Sequence, residues 1–233
     1  MEIKNIPLLL LIFISSIFIQ DIDSKIVLSE NKLDHIDDYF YELWKADSTD
    51  SVIMTIENKN KFDCSWNSVE NAIFNIGKEL GKNGRLDNID IDNITVNYDI
   101  DFKSNGNSYI SVNGYFNTYY EEFFIVDNWD DAWLPTSGER VGTISVDGGV
   151  YDIYYYEKIY PPNFLGIQKK IEYWSTRKEK RSKGTVSVGE HIKAWKQKGL
   201  KFTNIQQISF KVEGYKSSGS ANVNNVEINI NEK

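Results

Sequence analysis

Residues 108 to 116 read SYISVNGYF, a stretch in which apolar side chains alternate with small or polar ones. Successive side chains of a β-strand point to opposite faces, so this alternation predicts a strand with one face buried. Similar segments recur at intervals of about 8 to 12 residues, which is the spacing of a β-sandwich or barrel. They are SVIMTI (51–56), IDIDNITVNYDI (89–100), EEFFIV (121–126), GTISV (142–146) and VYDIYYY (150–156).

A single segment, VGEHIKAWKQKG (188–199), has helical spacing instead. Ile192 and Trp195 fall on one face of such a helix, and Ser187 and Glu190 have the spacing of a capping box. The pattern predicts one α-helix near residues 189–198.

Glycines mark the ends of the predicted elements. Asn105-Gly106 and Asp147-Gly148-Gly149 lie between strand segments and supply the conformations that hairpin turns need. Gly199 stands where the C-terminal cap of the helix belongs. Because no repeat, low-complexity tract or linker interrupts the pattern, we expect one domain.

The composition narrows the class of protein. The chain has 233 residues and a formal net charge of −8, and an acidic surface argues against a nucleic-acid partner. The apolar run at residues 6–19 is short for a membrane span and typical of a signal peptide, with an uncleaved anchor as the alternative. Cys64 has no partner in the chain, so we expect no internal disulfide. We expect a signal peptide (1–24), an N-terminal lead-in (25–38) and one main domain (39–233), secreted as a monomer that is free of the membrane after processing.

Two adjacent glutamates, Glu121 and Glu122, stand inside the apolar stretch YYEEFFIVDNW (119–129). In a strand they point to opposite faces, so at least one carboxylate lies among apolar neighbours. That placement costs free energy unless the carboxylate is used. Glu213 likewise interrupts the alternating segment FKVEGYKSSGSANV (210–223). Composition alone leaves a solvated strand glutamate as the alternative for Glu122 and Glu213.

Other chemistries have little support. His35 and His191 are isolated from each other, and DNIDID (87–92) lacks the glycine and distal glutamate of an EF-hand loop. We therefore expect no metal and no cofactor. No reactive cysteine motif or strained serine elbow occurs either. Carboxylates among aromatic rings remain, a combination that hydrolyses glycosidic bonds, because rings pack on sugars while one carboxyl protonates the leaving oxygen and another attacks or activates water.

Eight segments, taken together, resemble glycoside hydrolase family 11, the small secreted endo-β-1,4-xylanases. The similarity covers roughly residues 39–230, in the family order and with the helix in the family's place. It implies an all-β fold, a β-jelly roll of two strongly curved antiparallel sheets, with a cleft on the concave face, a thumb hairpin and one helix on the convex face. The segments are YELWK (41–45), FDCSW (62–66), GNSYISV (106–112), EEFFIVDNW (121–129), VDGGVYDIY (146–154), EYWSTR (172–177), KRSKGTVSVGEHIKAW (180–195) and VEGYKSSGSANV (212–223).

The resemblance also implies a retaining mechanism on xylan or xylo-oligosaccharides, with Glu122 as nucleophile and Glu213 as acid/base. Retention needs the two carboxyl groups about 5 to 5.5 Å apart, where their charges repel, so we expect one proton on Glu213 while Glu122 is ionised. Glu121 then points towards the inter-sheet side, where it needs a lysine, a turn or water. Asn71 corresponds to the residue that hydrogen-bonds the acid/base, and Trp44 to a tryptophan that stacks on a xylose.

Five positions of the expected cleft differ from the usual family residues. Asn113 and Phe124 replace two tyrosines, the first of which normally hydrogen-bonds the nucleophile, and Gln207 replaces a tyrosine near the acid/base. Lys158 replaces an arginine and Glu172 a glutamine. If these two pair, the charge of the cleft is conserved, and if they do not, Glu172 is a third carboxylate that raises the pKa of the nucleophile.

The substituted cleft leaves two classes of function open. The loss of a donor to a developing charge can cost about a hundredfold or more in rate. The alternative to a working xylanase is therefore a catalytically weakened or inactive carbohydrate-binding protein of the same fold. Action on a different β-glycan is a third reading, because the thumb tip PNFLG (162–166) is enlarged. The residues expected to bind substrate or support the pair are Trp44, Asn71, Asn113, Phe124, Lys158, Pro162, Glu172 and Tyr215.

Overall fold

The structure is a computed structural model that describes residues 25–46, 51–80, 90–116, 121–163, 166–201 and 204–231, with backbone only at 161–163 and 166–168. The expected signal peptide lies outside the described residues. Within the described ranges, no helix has the length and apolar character needed to cross a bilayer. The elements are β1 (Ile26–Leu28), β2 (Lys32–Ile36), β3 (Tyr39–Lys45), β4 (Val52–Asn58), β5 (Lys61–Glu79), a 3₁₀ turn (Ile91–Asn93), β6 (Thr95–Phe116), β7 (Glu121–Trp129), β8 (Glu139–Val146), β9 (Gly149–Asn163), β10 (Gly166–Arg177), β11 (Lys183–Ser187), α1 (Val188–Gln197) and β12 (Ile205–Asn229).

The described strands form one hydrogen-bonded sheet in the order β1-β4-β5-β12-β6-β7-β10-β9-β8, with β3 beside β5, β2 beside β3 and β11 beside β6. Strands β5, β6 and β12 are 19, 22 and 25 residues long, and the two halves of β5 and of β6 pair with different neighbours, while β12 lies between these two strands along most of its length. The first half of β5 pairs with β4 and the second half with β3. The two layers expected from the sequence are therefore the two halves of one curved sheet.

The all-β class with a single helix is confirmed, but the sheet is not antiparallel throughout. Strands β7 and β10 pair in parallel, with Glu122 opposite Glu172. Parallel neighbours need a long crossover connection, and here β8 and β9 provide it before β10 returns.

The core lies between the two halves of the sheet. Tyr98 in the first half of β6 stacks on Phe210 in the first half of β12, with ring centroids 5.0 Å apart. Trp66 and Phe74 meet in the same way across the two halves of β5, at 5.7 Å. These contacts bury the alternate apolar residues that the period-2 pattern predicts, which is the main source of stability for a domain without a disulfide.

Helix α1 starts and ends where the sequence predicts, but the capping box is wrong. The Ser187 side chain makes no hydrogen bond to the helix. Its hydroxyl donates to Asp147 Oδ1 at 2.6 Å, while Glu190 bonds to Lys193 at 2.9 Å. Bonds to charged partners are stronger than a bond to a backbone amide, so these contacts replace the local motif. Gly199 does adopt the left-handed conformation expected after the helix, with φ of 80°.

The sheet begins upstream of residue 39. The expected lead-in contains β1, which pairs with β4, and β2, which pairs with β3. Both strands are short and mostly exposed, and β2 carries charged side chains, so they lack the strong alternation of the other segments. Such short, charged strands commonly protect the edges of a sheet.

The register places the candidate residues on one face. Trp44 is paired with Ile73, Ile73 with Glu213, and Glu213 with Tyr109. Directly paired residues point to the same side of a sheet. One row across β3, β5, β12 and β6 therefore carries Trp44 and Glu213 on the same concave face.

Candidate active site

An open cleft of about 420 Å³ occupies the concave face, and both Glu122 of β7 and Glu213 of β12 line it. The two residues are 91 positions apart in sequence, and the single strand β6 separates their strands in the sheet. The cleft is walled by aromatic rings and contains three further charged residues, Lys170, Glu172 and Lys211. Its lining comprises Ile73, Tyr109, Tyr115, Glu122, Phe124, Trp133, Thr136, Ser137, Lys170, Glu172, Trp174, Lys211, Glu213 and Tyr215.

Alternation along β7 separates the two adjacent glutamates as expected. Glu122 faces the cleft, whereas Glu121 lies half-buried on the opposite side of the strand. There, after burial itself, the charge of Glu121 contributes to raising the pKa of Tyr173, a core residue. Glu121 is thus on the inter-sheet side, and Glu122 is the member of the pair that can meet a substrate.

Charges, and not hydrogen bonds, surround Glu122. Burial raises its pKa, and the nearby Glu172 and Glu213 carboxylates raise it further, while the ammonium groups of Lys211 and Lys170 lower it. Among the described residues, none donates a side-chain hydrogen bond to this carboxyl group. The ionised form of Glu122 therefore depends on the two lysines.

Glu213 has the opposite kind of surroundings. Tyr109 donates its hydroxyl to Glu213 Oε2 at 2.6 Å, and Lys211 Nζ lies 3.7 Å from the same oxygen. Glu213 Oε2 is thus held by one hydrogen bond and one nearby ammonium group, both from neighbouring residues of the cleft.

Glu172 is held in an ion pair, but its partner is Lys170 and not Lys158. Lys170 Nζ lies 2.7 Å from Glu172 Oε1, and Trp174 Nε1 donates to Oε2 at 3.0 Å. Residues two apart in a strand share a face, which places Lys170 beside Glu172. Lys158 is exposed on β9, with its Nζ 5.0 Å from the centre of the Tyr160 ring, and it does not line the cleft.

The residues that stand in for family tyrosines have apolar or local contacts. Asn113 is buried and accepts a hydrogen bond from Ser209 at 2.6 Å. Phe124 stacks on Trp174, with centroids 4.1 Å apart, and borders the cleft. Gln207 is half-buried and paired with Tyr115. None of these three residues supplies a hydrogen bond to Glu122.

The remaining expected residues lie around the cleft. Tyr215 lines it, and Trp44 is 40% exposed on the same face, beyond Ile73. Asn71 pairs with Tyr215, and its Oδ1 is buried without a hydrogen-bond partner in the described structure. The described residue whose hydroxyl bonds Glu213 is Tyr109. The side chain of Pro162 lies outside the described residues. The roles of these residues remain predictions.

Sequence reasoning missed three contributors to the site: Tyr109, Lys170 and Lys211. Lys211 and Lys170 were detectable in part, because each lies two residues from a candidate glutamate and therefore on its face. Tyr109 gave no such signal, because it meets Glu213 only through the pairing of β6 with β12.

The described part of the chain contains no cluster of three or more His, Cys, Asp or Glu residues that could hold a metal ion. His191 is fully buried under α1, with its ring against Tyr151 at 4.7 Å. It is a core residue, remote from the cleft lining.

Comparison with known proteins agrees with this geometry. The model of the glycosyl hydrolases family 11 matches residues 36–224. The chain belongs to this family. It is 38% identical over 196 residues to endo-1,4-beta-xylanase A of Bacillus pumilus, with 84% of this chain and 83% of that protein covered.

Two further relatives extend the comparison. A bifunctional xylanase/deacetylase of Pseudobutyrivibrio xylanivorans is 41% identical over 200 residues, which are 85% of this chain but only 32% of that longer protein. The solved family 11 xylanase of Neocallimastix patriciarum superposes with a TM-score of 0.75 at 26% identity, covering 89% of this chain and all of that one. The family fold expected from the sequence is thus confirmed.

Proposed function

We propose that the protein is a secreted endo-1,4-β-xylanase that cleaves internal xylosidic bonds with retention of configuration. The observation that carries the proposal is the convergence of Glu122 and Glu213 on one aromatic-walled cleft in a family 11 chain. Rings bind the flat faces of sugars, and paired carboxyls are the groups that glycoside hydrolysis requires.

In the first step, Glu122 attacks the anomeric carbon as a carboxylate while Glu213 transfers its proton to the glycosidic oxygen. The bond to the leaving sugar breaks as the bond to Glu122 forms, and the product is a covalent glycosyl-enzyme. The hydrogen bond from Tyr109 to Glu213 Oε2 supports this role, because it leaves the proton on Oε1.

In the second step, Glu213 is the carboxylate left by the first step and removes a proton from water. The hydroxide attacks the anomeric carbon and breaks its bond to Glu122. Glu213 ends protonated and Glu122 ends ionised, so the pair is ready for another turnover. Two displacements at the same carbon return the β configuration.

Proton NMR of a xylan digest tests both the activity and the stereochemistry. We expect reducing ends to accumulate and the first product signal to be that of the β anomer, with the α anomer appearing later by mutarotation. A first signal from the α anomer would contradict the retaining mechanism while leaving xylan hydrolysis intact.

A carbohydrate-binding protein without turnover is the second candidate, and the lack of a hydrogen-bond donor to Glu122 among the described residues favours it. Tight binding of xylo-oligosaccharides by calorimetry, without release of reducing sugar from pH 4 to 9, would support this candidate over the enzyme. In either case we expect Trp44→Ala to weaken binding by roughly 1 to 2 kcal/mol, because Trp44 presents an exposed ring on the concave face.

Secretion is the part of the proposal that rests on the apolar run at residues 6–19. Expression in a secreting host should release a mature chain into the medium. N-terminal sequencing of that chain should place the cleavage near residues 20–25. A full-length chain retained in the membrane fraction would instead support an uncleaved anchor.

A further inference from the structure

A buried lysine lies in the floor of the cleft, next to the candidate catalytic pair. Lys211 is only 5% exposed, and its Nζ lies 3.7 Å from Glu213 Oε2 and 5.0 Å from the centre of the Phe124 ring. An ammonium group removed from water is costly unless nearby negative charge compensates it. Its position therefore calls for a partner, and the candidate carboxyls are the closest source.

The strands on both sides of Lys211 provide polar surroundings. Asn75 of β5 and Ser111 of β6 are its directly paired neighbours. Asn75 Oδ1 and Ser111 Oγ are both buried without a hydrogen-bond partner in the described structure. Two polar oxygens at directly paired positions therefore lie on the same face as Lys211, whose ammonium group has three protons to donate.

The charged groups around Lys211 come from the neighbouring strands of the cleft, and without the charge of Lys211 their net charge is negative. Lys170 is engaged by Glu172 at 2.7 Å, so this pair is neutral by itself. Glu122 and Glu213 remain, and Lys211 is the one other lysine among the described residues that line the cleft. The groups that face this region are Glu213 of β12, Tyr109 of β6, Glu122 of β7, Lys170 and Glu172 of β10, and Glu42 of β3, which Asn75 of β5 binds at 2.8 Å.

We propose that Lys211 is a positioning residue of this active centre, whose ammonium group stabilises the negative charge of Glu122 in place of a hydroxyl donor. The proposal deepens the proposed function and rests on it for the roles of the two glutamates. Asn113, at the position from which a hydroxyl would act, is bonded to Ser209. Lys211 reaches the same region from β12, across Phe124.

The same ammonium group acts on both members of the pair. Its attraction for the carboxylate of Glu122, which lines the same cleft, keeps the nucleophile available for attack, since a nearby opposite charge favours ionisation. Lys211 Nζ also lies 3.7 Å from Glu213 Oε2, the oxygen to which Tyr109 donates, so one cation lies near both carboxyls.

The decisive variant is Lys211→Met, which removes the charge and keeps an unbranched side chain beside Phe124. Lys211→Arg is the conservative variant that retains the charge. Lys183→Met is the matched control. Lys183 is an exposed lysine of strand β11 that forms an ion pair with Asp99, and it does not line the cleft. Should Lys211→Met unfold, Lys211→Gln has a polar head without charge and serves the same test.

Two readouts are needed: the pH profile of kcat/KM on xylan, and the titration of the Glu122 carboxyl by ¹³C NMR in the free protein. We expect Lys211→Met to raise the titration midpoint of the Glu122 carboxyl by about one pH unit. The acidic limb of the kcat/KM profile should move up by the same amount. At a pH below that limb, kcat/KM should therefore fall roughly tenfold. Lys211→Arg should restore both, and Lys183→Met should leave both unchanged.

The two readouts separate the inference from the function on which it rests. A Glu122 midpoint that stays unchanged in folded Lys211→Met overturns the role of Lys211, whatever the activity. A midpoint that rises in a protein without xylan turnover supports the electrostatic role and contradicts the proposed function. An acidic limb that fails to follow the NMR midpoint overturns the assignment of that limb to Glu122.

Discussion

Strand β7 carries two carboxylates with opposite surroundings, the buried Asp127 and the half-buried Glu122. Asp127 is 2% exposed and accepts hydrogen bonds from Tyr98 at 2.7 Å, Tyr151 at 2.6 Å and Arg181 at 2.7 Å. Glu122 has no side-chain hydrogen bond from a described residue, and the charges near it are those of Lys211, Lys170, Glu172 and Glu213. The core carboxylate is saturated with donors, whereas the carboxylate of the cleft is not.

The two residues differ by five positions and therefore face opposite sides of the strand. Asp127 faces the core, where unpaired charge is most costly, and Glu122 faces the cleft. The difference teaches that burial alone does not identify a catalytic carboxyl. What distinguishes it is burial without hydrogen-bond saturation.

The strongest test of this contrast is removal of each carboxylate of the cleft. Glu122→Gln should reduce xylan hydrolysis by at least about ten-thousandfold, because the amide cannot form the glycosyl intermediate. Glu213→Gln should also lose xylan turnover but retain much of its rate on an aryl xyloside, whose leaving group needs no proton. Steady-state kinetics on both substrates measure this. Equal loss on the aryl xyloside for both variants would contradict the assigned roles.

A buried histidine of the core, His191, predicts that the free energy of unfolding falls in acid. Burial, followed by the charges of Arg181 and Arg177, lowers the pKa of His191 to about 3. The unfolded histidine titrates near 6.5, so the unfolded state binds the proton more tightly and stability falls as the pH drops from about 6.5 towards 3. The loss should approach roughly 5 kcal/mol over that window.

Urea unfolding at pH 7 and pH 4 checks this expectation, with His191→Phe as the non-titrating variant. The phenyl ring keeps the edge contact with Tyr151 and has no nitrogen to protonate. The variant should lose less stability between the two pH values than the wild type. An identical loss in both proteins would show that other groups control the acid limb.

The saturated carboxylate should be more important for stability than for catalysis. We expect Asp127→Asn to lower the free energy of unfolding by roughly 3 to 5 kcal/mol, because it leaves the Arg181 guanidinium without its buried partner. Asp131→Asn, at an exposed acid on the following loop, is the control. Denaturant melts with kinetics on the folded fraction make the comparison. A stable but inactive Asp127→Asn would place Asp127 in the catalytic machinery and break the contrast.

The smallest expected effect concerns the stability cost of Glu122 itself. Its pKa is raised in the folded state, chiefly by burial, so its contribution to stability is present at low pH and is lost as the pH rises through the folded value. Glu122→Gln should therefore melt about 2 to 4 °C higher than the wild type near pH 8. Glu227→Gln, on the outer face, is the control.

The difference in melting temperature should shrink as the pH falls and the wild-type carboxyl takes up its proton. Scanning calorimetry at pH 8 and pH 4 follows it. A Glu122→Gln variant that melts lower than the wild type at pH 8 would mean that Glu122 is satisfied in the way that Asp127 is.

Much of the fold was predictable because its signals are local. Alternation in SYISVNGYF predicts the strand that became the second half of β6, and the spacing of Ile192 and Trp195 predicts α1. Prediction failed where a local motif has a stronger partner that is distant in sequence. The expected capping box is the example, because Ser187 bonds to Asp147, 40 residues away, and not to its own helix. The parallel pairing of β7 with β10 was not predictable either, since strand direction in a sheet depends on the connection and not on the pattern.

Of the candidate site, the faces were predictable and the partners were not. The period of two placed Glu122 on one side of β7 and Glu121 on the other. The sequence left open whether Lys158 pairs with Glu172, and in the structure Lys170 on the same strand as Glu172 is the partner. Tyr109, which bonds Glu213, gave no sequence signal at all.

The sequence by itself thus determined the strands, the helix and the side of each strand on which a residue lies, because these follow from periods of two and 3.6 along the backbone. Only the tertiary structure decided that Glu122 and Glu213 share a cleft, that Tyr109 bonds one of them, and that Lys211 stands near both. The ionisation of a carboxyl depends on burial and on charges a few ångströms away, and those neighbours come from strands that are distant in sequence.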